Sequence, residues 1–165
     1  MRHARLGLPP AWALAFAPYL AVASLTATPA QVDAQFPLKG YDVTYFNSEQ
    51  WVETTVSVTD DGEIKGEVIF WNEQVTDLCG QVVFAIENAS GRVLTYFGGA
   101  SGCIRGKGPR EATIHKSFKV KGQVHPNYLV GATQVQARAI PDHKAPITPD
   151  LIRHLFPPGT HRNES

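Results

Sequence analysis

The stretch from Trp51 to Trp71 limits what this chain can fold into more than any other. Val52, Thr54, Val56 and Val58 alternate with Glu53, Thr55, Ser57 and Thr59. Such period-2 alternation marks a half-buried strand, because successive side chains leave a pleated strand on opposite faces. Asp60-Asp-Gly62 follows as a hairpin turn. Closing it as a three-residue loop pairs Thr59 with Glu63, and so Val58 with Ile64, Val56 with Gly66, Thr54 with Val68 and Val52 with Phe70. One apolar face then runs across both strands, and a slip of one residue would turn it to solvent. The same register sets Trp51 opposite Trp71 on the polar side.

A second hairpin holds both cysteines near its open end. Gln81–Glu87 and Arg92–Phe97 are short, apolar and rich in β-formers, with Asn88-Ala-Ser-Gly91 between them. A turn residue followed three places later by glycine fits a type I turn closed by a left-handed Gly. That geometry pairs Asn88 with Arg92, Ile86 with Leu94 and Phe84 with Tyr96, and it carries Cys79 to the region of Ser101. Cys103 is two residues further on, a difference that a bulge at Gly98-Gly99 would absorb. A Cys79–Cys103 disulfide is therefore expected, the alternative being two buried thiols. The two cysteines are not in Cys-x-x-Cys spacing, so no metal role is expected of them.

The rest of the chain continues the β pattern. Tyr41–Phe46 reads as a short edge strand. Thr113–Lys121 reads as a strand with Ile114, Phe118 and Val120 inward, and Lys116 on that same face near a rim. Thr133–Ile140 alternates Val135, Ala137 and Ala139 against Gln134, Gln136 and Arg138. Gly98–Arg110 is glycine-rich and reads as a loop. Thr148 and Pro149 suit the cap and first position of a short helix that Pro157-Pro158 would stop. Several short strands with turns between them, and no long helix, imply an all-β antiparallel sandwich over residues 36–156.

The first thirty residues read as a secretory signal peptide. Arg2 and Arg5 precede a charge-free run from Leu6 to Leu25, and cleavage after Ala23, Ala30 or Ala34 fits the small residues there. An uncleaved membrane anchor is the rival, weakened by Pro9, Pro10 and Pro18. Residues 157–165 are expected to be a disordered tail. A secreted or extracytoplasmic address follows, and it favours the disulfide. Without Arg2 and Arg5 the chain carries 13 basic and 15 acidic residues. That balance supplies no field to recruit nucleic acid or, once the signal is removed, a membrane.

Three segments carry a resemblance: Ile64-Lys-Gly-Glu-Val68, then Val83–Leu94, then Gly106–Thr113 leading into Phe118-Lys-Val120. Their order resembles that of the FxLYD-type bacterial extracytoplasmic domains, which are immunoglobulin- or fibronectin-III-like sandwiches. The likeness spans Ile64 to Ile140, with Phe-Ala-Ile-Glu-Asn standing at the family's namesake motif. It implies an immunoglobulin/fibronectin-III-like sandwich and transfers no catalytic residue.

Catalytic signatures are weak. Gly98–Gly108 departs from a phosphate-binding loop, since Ser101 replaces its first glycine and Gly108, not Ser or Thr, follows Lys107. No Gly-x-Ser-x-Gly elbow is present. His115, His125, His143, His154 and His161 lack metal-ligand spacing, so neither a metal nor a cofactor is expected. Trp51 and Trp71 form either a ligand platform or the cap of a core end. Arg105, Lys107, Arg110, Lys119 and Lys121 form either a basic strip for an acidic partner or glycan, or a solvated strand edge. Asn88-Ala-Ser90 is an N-glycosylation sequon at a hairpin tip. The expected function is non-catalytic: a binding or structural module for an unknown protein or glycan. A small secreted hydrolase, or an inhibitor of one, is the alternative.

Overall fold

The fold was obtained as a computed structural model that describes residues 35–159. The expected signal segment with its cleavage points, and the tail beyond Gly159, lie outside the described residues. Seven strands form two antiparallel sheets: β1 (Leu38–Asn47), β2 (Gln50–Val58), β3 (Glu63–Asn72), β4 (Leu78–Asn88), β5 (Val93–Ile104), β6 (Ile114–Gln123) and β7 (Ala132–Ile140). A 3-10 turn at Pro126–Leu129 precedes β7, and helix α1 (Pro149–Leu155) follows it. No helix among the described residues is long and apolar enough to cross a membrane.

The sheets have orders β1-β2-β3-β6 and β5-β4-β7. The chain is thus an all-β sandwich with a short C-terminal helix, in which the β4-β5 hairpin leaves the first sheet and β6 returns to it. This order differs from the A-B-E-D and C-F-G sheets of an immunoglobulin domain.

The β2-β3 register is the one the sequence dictates, from Val58↔Ile64 to Trp51↔Trp71. Thr59 and Glu63 close its turn, and Gly62 takes φ 87° there. Val52, Val58, Val68 and Phe70 are fully enclosed between the sheets with Val82, Phe84 and Ile86. At one edge the layers meet closely. Arg138 of β7 donates to Asp42 of β1 at 3.1 Å, and the Ala139 N–H donates to Thr44 Oγ1 at 3.3 Å. β6 lies at the other edge of its sheet.

Strand β4 is buried from Gly80 to Glu87, on both faces. The second covering layer is α1, whose Ile152 and Phe156 pack on Val83 and Ala85. The helix starts where its sequence says it should, with Thr148 Oγ1 accepting from the Leu151 N–H and proline in the first turn.

Two expectations for the cysteine hairpin need correction. Gly98–Arg110 is not all loop, since β5 continues to Ile104. The pairing is also shifted: Phe84 faces Phe97 instead of Tyr96, Ile86 faces Thr95 instead of Leu94, and Cys79 faces Cys103 directly. Two irregularities cause this, one beside Glu87 and one between Gln81 and Val83. Each inserts one residue into β5, so the two-residue difference is shared between two bulges and not taken up by one. Gly99 sits in the second bulge, where a Cβ would stand 2.3 Å from the Phe84 ring. The Cys79–Cys103 disulfide itself is present.

Candidate binding face

The outer surface of the β1-β2-β3-β6 sheet is organised in rows, because cross-strand partners on one face point the same way. At the end where β2 begins, the register aligns Tyr45, Trp51, Trp71 and His115. The four rings touch in sequence. Tyr45 and Trp51 have centroids 6.2 Å apart, the two indoles stack at 5.7 Å with planes 8° apart, and Trp71 lies 4.8 Å from His115. Trp51 Nε1 donates to Glu53 at 3.3 Å, whereas the buried Trp71 Nε1 has no partner.

Moving along the strands, the next rows are Val43-Glu53-Ile69-Ser117, then Tyr41-Thr55-Glu67-Lys119, then Lys39-Ser57-Lys65-Lys121. The face thus grades from aromatic to cationic over six residues, about 20 Å at the usual strand rise. An open depression of about 540 Å³ lies toward the cationic end, bordered by Lys39, Tyr41, Thr55, Ser57 and Lys65.

Two stacked indoles held 8° apart couple electronically. The far-UV circular dichroism spectrum is expected to show an exciton couplet that either Trp51→Phe or Trp71→Phe abolishes. A couplet that survives both single substitutions would rule out the stacking.

The structure separates the basic residues that the sequence groups together. Lys119 and Lys121 share the outer face with the tryptophans, but Lys119 is paired with Glu67 at 2.8 Å. That lysine and the Ser117 hydroxyl both bind Glu67 and hold its carboxyl below its ordinary pKa. Lys116 lies on the opposite face of β6, its ammonium 4.9 Å from the Phe118 ring centroid. Arg105, Lys107 and Arg110 belong to the loop after β5. On this face, Lys39 and Lys121 take no part in the ion pairs of the described residues.

The loop is anchored at the aromatic end of the sheet. Buried Asn72 donates to the Arg105 and Thr76 carbonyls, and accepts from Gln50 Nε2 and the Gln74 N–H. The Lys107 N–H donates to the Gln74 carbonyl at 2.7 Å, and the Thr113 hydroxyl donates to Glu73 at 2.8 Å. Arg105 grips Glu111 with both terminal nitrogens, and the Gly108 N–H donates to the same carboxylate.

These donors, Arg105 first and Gly108 second, hold the Glu111 carboxyl down to about 2 from an ordinary 4.5. Because the folded value is the lower one, the contact favours the folded loop above about pH 4.5 and is withdrawn as pH falls toward 2. Both side chains reach solvent, so salt weakens the contact. A carbon-detected titration should place the Glu111 midpoint near 2 in wild type and return it toward 4.5 in Arg105→Gln. An ordinary midpoint in wild type would show that the pair does not form.

Asn88 ends β4 just before the hairpin turn, its side-chain oxygen accepting from the Ser90 and Arg92 N–H groups and the Ser90 hydroxyl. His143 has no metal-ligand spacing in the sequence and lies 40 residues from Cys103, yet its Nδ1 is 3.9 Å from Cys103 Sγ. The Ser101 hydroxyl donates to the His143 carbonyl, not to its ring, at 2.7 Å. No protein-family model, curated protein or solved structure gives a significant match to this chain.

Proposed function

We propose that this chain is an extracytoplasmic, non-catalytic binding module whose ligand lies on the outer face of the β1-β2-β3-β6 sheet. The observation that carries the reading is the four-ring row on a face that no other described element covers, while α1 shields the opposite sheet. Tyr41 and Tyr45 on this face are 66% and 67% exposed, unusual for rings that merely cap a core. Tyrosines beside Ser, Thr and Lys suit a protein contact of mixed polarity. The Arg-led charge-free start of the chain, the disulfide and the resemblance to FxLYD-type domains support the extracytoplasmic address.

A glycan is the second reading, and one observation favours it. Tyr45, 67% exposed beside Trp51, presents an aromatic face on which the C–H face of a sugar can lie.

The test is a Tyr41→Ala/Tyr45→Ala double variant, chosen because both side chains are exposed and their loss leaves the core intact. Wild type and variant are compared on a glycan array and on extracellular-fraction proteins, with Arg153→Ala on α1 as a control. The double variant should bind the wild type's ligand about tenfold or more weakly, as expected for interface aromatics, with Arg153→Ala unaffected. Equal binding by all three removes the proposal, and the class of retained ligand separates the two readings.

A further inference from the structure

A different surface, the outer face of the β5-β4-β7 sheet, brings two sulfurs and an imidazole nitrogen together. Cys79 and Cys103 face each other on neighbouring strands, and His143 arrives from the segment that leads β7 into α1. The three donor atoms all lie within 4.8 Å of one another. We propose that reduction of the Cys79–Cys103 bond creates a metal site made of Cys79 Sγ, Cys103 Sγ and His143 Nδ1, for a thiophilic ion of the Zn2+ class.

The geometry asks for little movement. A tetrahedral zinc with Zn–S near 2.3 Å and Zn–N near 2.0 Å separates its sulfurs by about 3.8 Å, and sulfur from nitrogen by about 3.5 Å. The Nδ1–Sγ distance is already 3.9 Å. The two sulfurs need only part once their bond is broken, and facing strands hold them at a common mouth. His143 is tethered beside them: the Ser101 hydroxyl binds its carbonyl at 2.7 Å, and Gln81 Nε2 binds the nearby Ala145 carbonyl at 2.7 Å. Both tethers come from strand residues two positions from a cysteine, Gln81 after Cys79 and Ser101 before Cys103. Cys103 is exposed, so reductant and ion can reach it.

The chemistry balances with a dithiol reductant. It gives two electrons and two protons to the Cys79–Cys103 bond and becomes a disulfide itself. The ion then displaces both thiol protons and takes the Nδ1 lone pair of neutral His143, leaving a fourth position for water or another ligand. Thiolates with one imidazole select thiophilic ions over magnesium or calcium. In the disulfide form neither sulfur is a thiolate, so the site exists only when reduced.

The test uses anaerobic protein reduced with a phosphine that is then removed, and Co2+ as a coloured stand-in for Zn2+. Reduced wild type should take up one equivalent with a thiolate-to-cobalt charge-transfer band, and the oxidised protein should take up none. Zn2+ competition should show His143→Ala binding at least about tenfold more weakly; this variant keeps the disulfide, and so its oxidised fold serves as the control. If reduction alone unfolds the domain, Zn2+ should restore the near-UV circular dichroism of wild type more fully than that of His143→Ala. Less than one equivalent bound, wild-type affinity in His143→Ala, or equal restoration in both would overturn the site.

Discussion

Phe70→Ala is expected to destabilise the domain by about 3–5 kcal/mol, the range for removing a buried phenylalanine from a core that collapses only partly. Phe70 is fully enclosed, and its ring stands edge-on to Phe118 at 5.4 Å. It also reaches the other layer, where a Cβ on Gly80 of β4 would stand 3.1 Å from Phe70 Cε1. Truncation therefore opens a void at the junction of the two sheets. For a domain of this size the loss corresponds to roughly 10–20 °C in Tm. Phe70→Leu, which keeps most of the volume, should cost well under half as much. A Phe70→Ala loss below about 1 kcal/mol would mean that this ring is not central to the core.

Replacing both cysteines, as Cys79→Ser/Cys103→Ser, is expected to cost about 3.5 kcal/mol on the chain-entropy estimate for a loop of this length. The bond spans 24 residues of sequence and closes the mouth of the β4-β5 hairpin. Part of β5 depends on it more than a regular strand would. The bulged segment from Gly98 to Gly102 offers few side chains to hold its register. Urea unfolding should show a lower midpoint, and hydrogen exchange should rise first in β5 beyond Gly98 while β2 and β3 stay protected. Unchanged stability, or equal loss of protection in every strand, would contradict the staple's local role.

What the sequence made legible follows from where independent local signals agree. In β2-β3 the alternation, the turn chemistry and the apolar face all demand one register, and that register is the one observed. The same holds for α1, where Thr148 and Pro149 mark the start and Pro157 follows the end. β5 was legible only in outline. A strand reading Phe-Gly-Gly-Ala-Ser-Gly has no alternation from which to choose a register, so its two bulges and its true end at Ile104 are set by contacts with β4 and the Phe84 ring. The order of the strands was not legible either. Which layer β6 joins depends on contacts between residues some fifty positions apart, such as Glu67 with Lys119.

The candidate face was half visible. Pairing Trp51 with Trp71 followed from the hairpin, but Tyr45 and His115 join them only because β1 and β6 flank that hairpin. The basic strip failed to stay together for the opposite reason: Glu111 and Glu67, which neutralise Arg105 and Lys119, come from places that a count of cations ignores. His143 was invisible because its neighbour Cys103 is distant in the chain and its placement depends on Ser101.

The most direct measurement of the binding face is side-chain footprinting of the intact protein with and without the glycan or protein it retains. Binding on the four-stranded sheet predicts that Tyr41, Tyr45 and Trp51 become protected together while Tyr96 and Tyr128, exposed elsewhere, react unchanged. Protection confined to Tyr96, Tyr128 or the α1 side, with Tyr41 and Tyr45 still fully reactive, would contradict it.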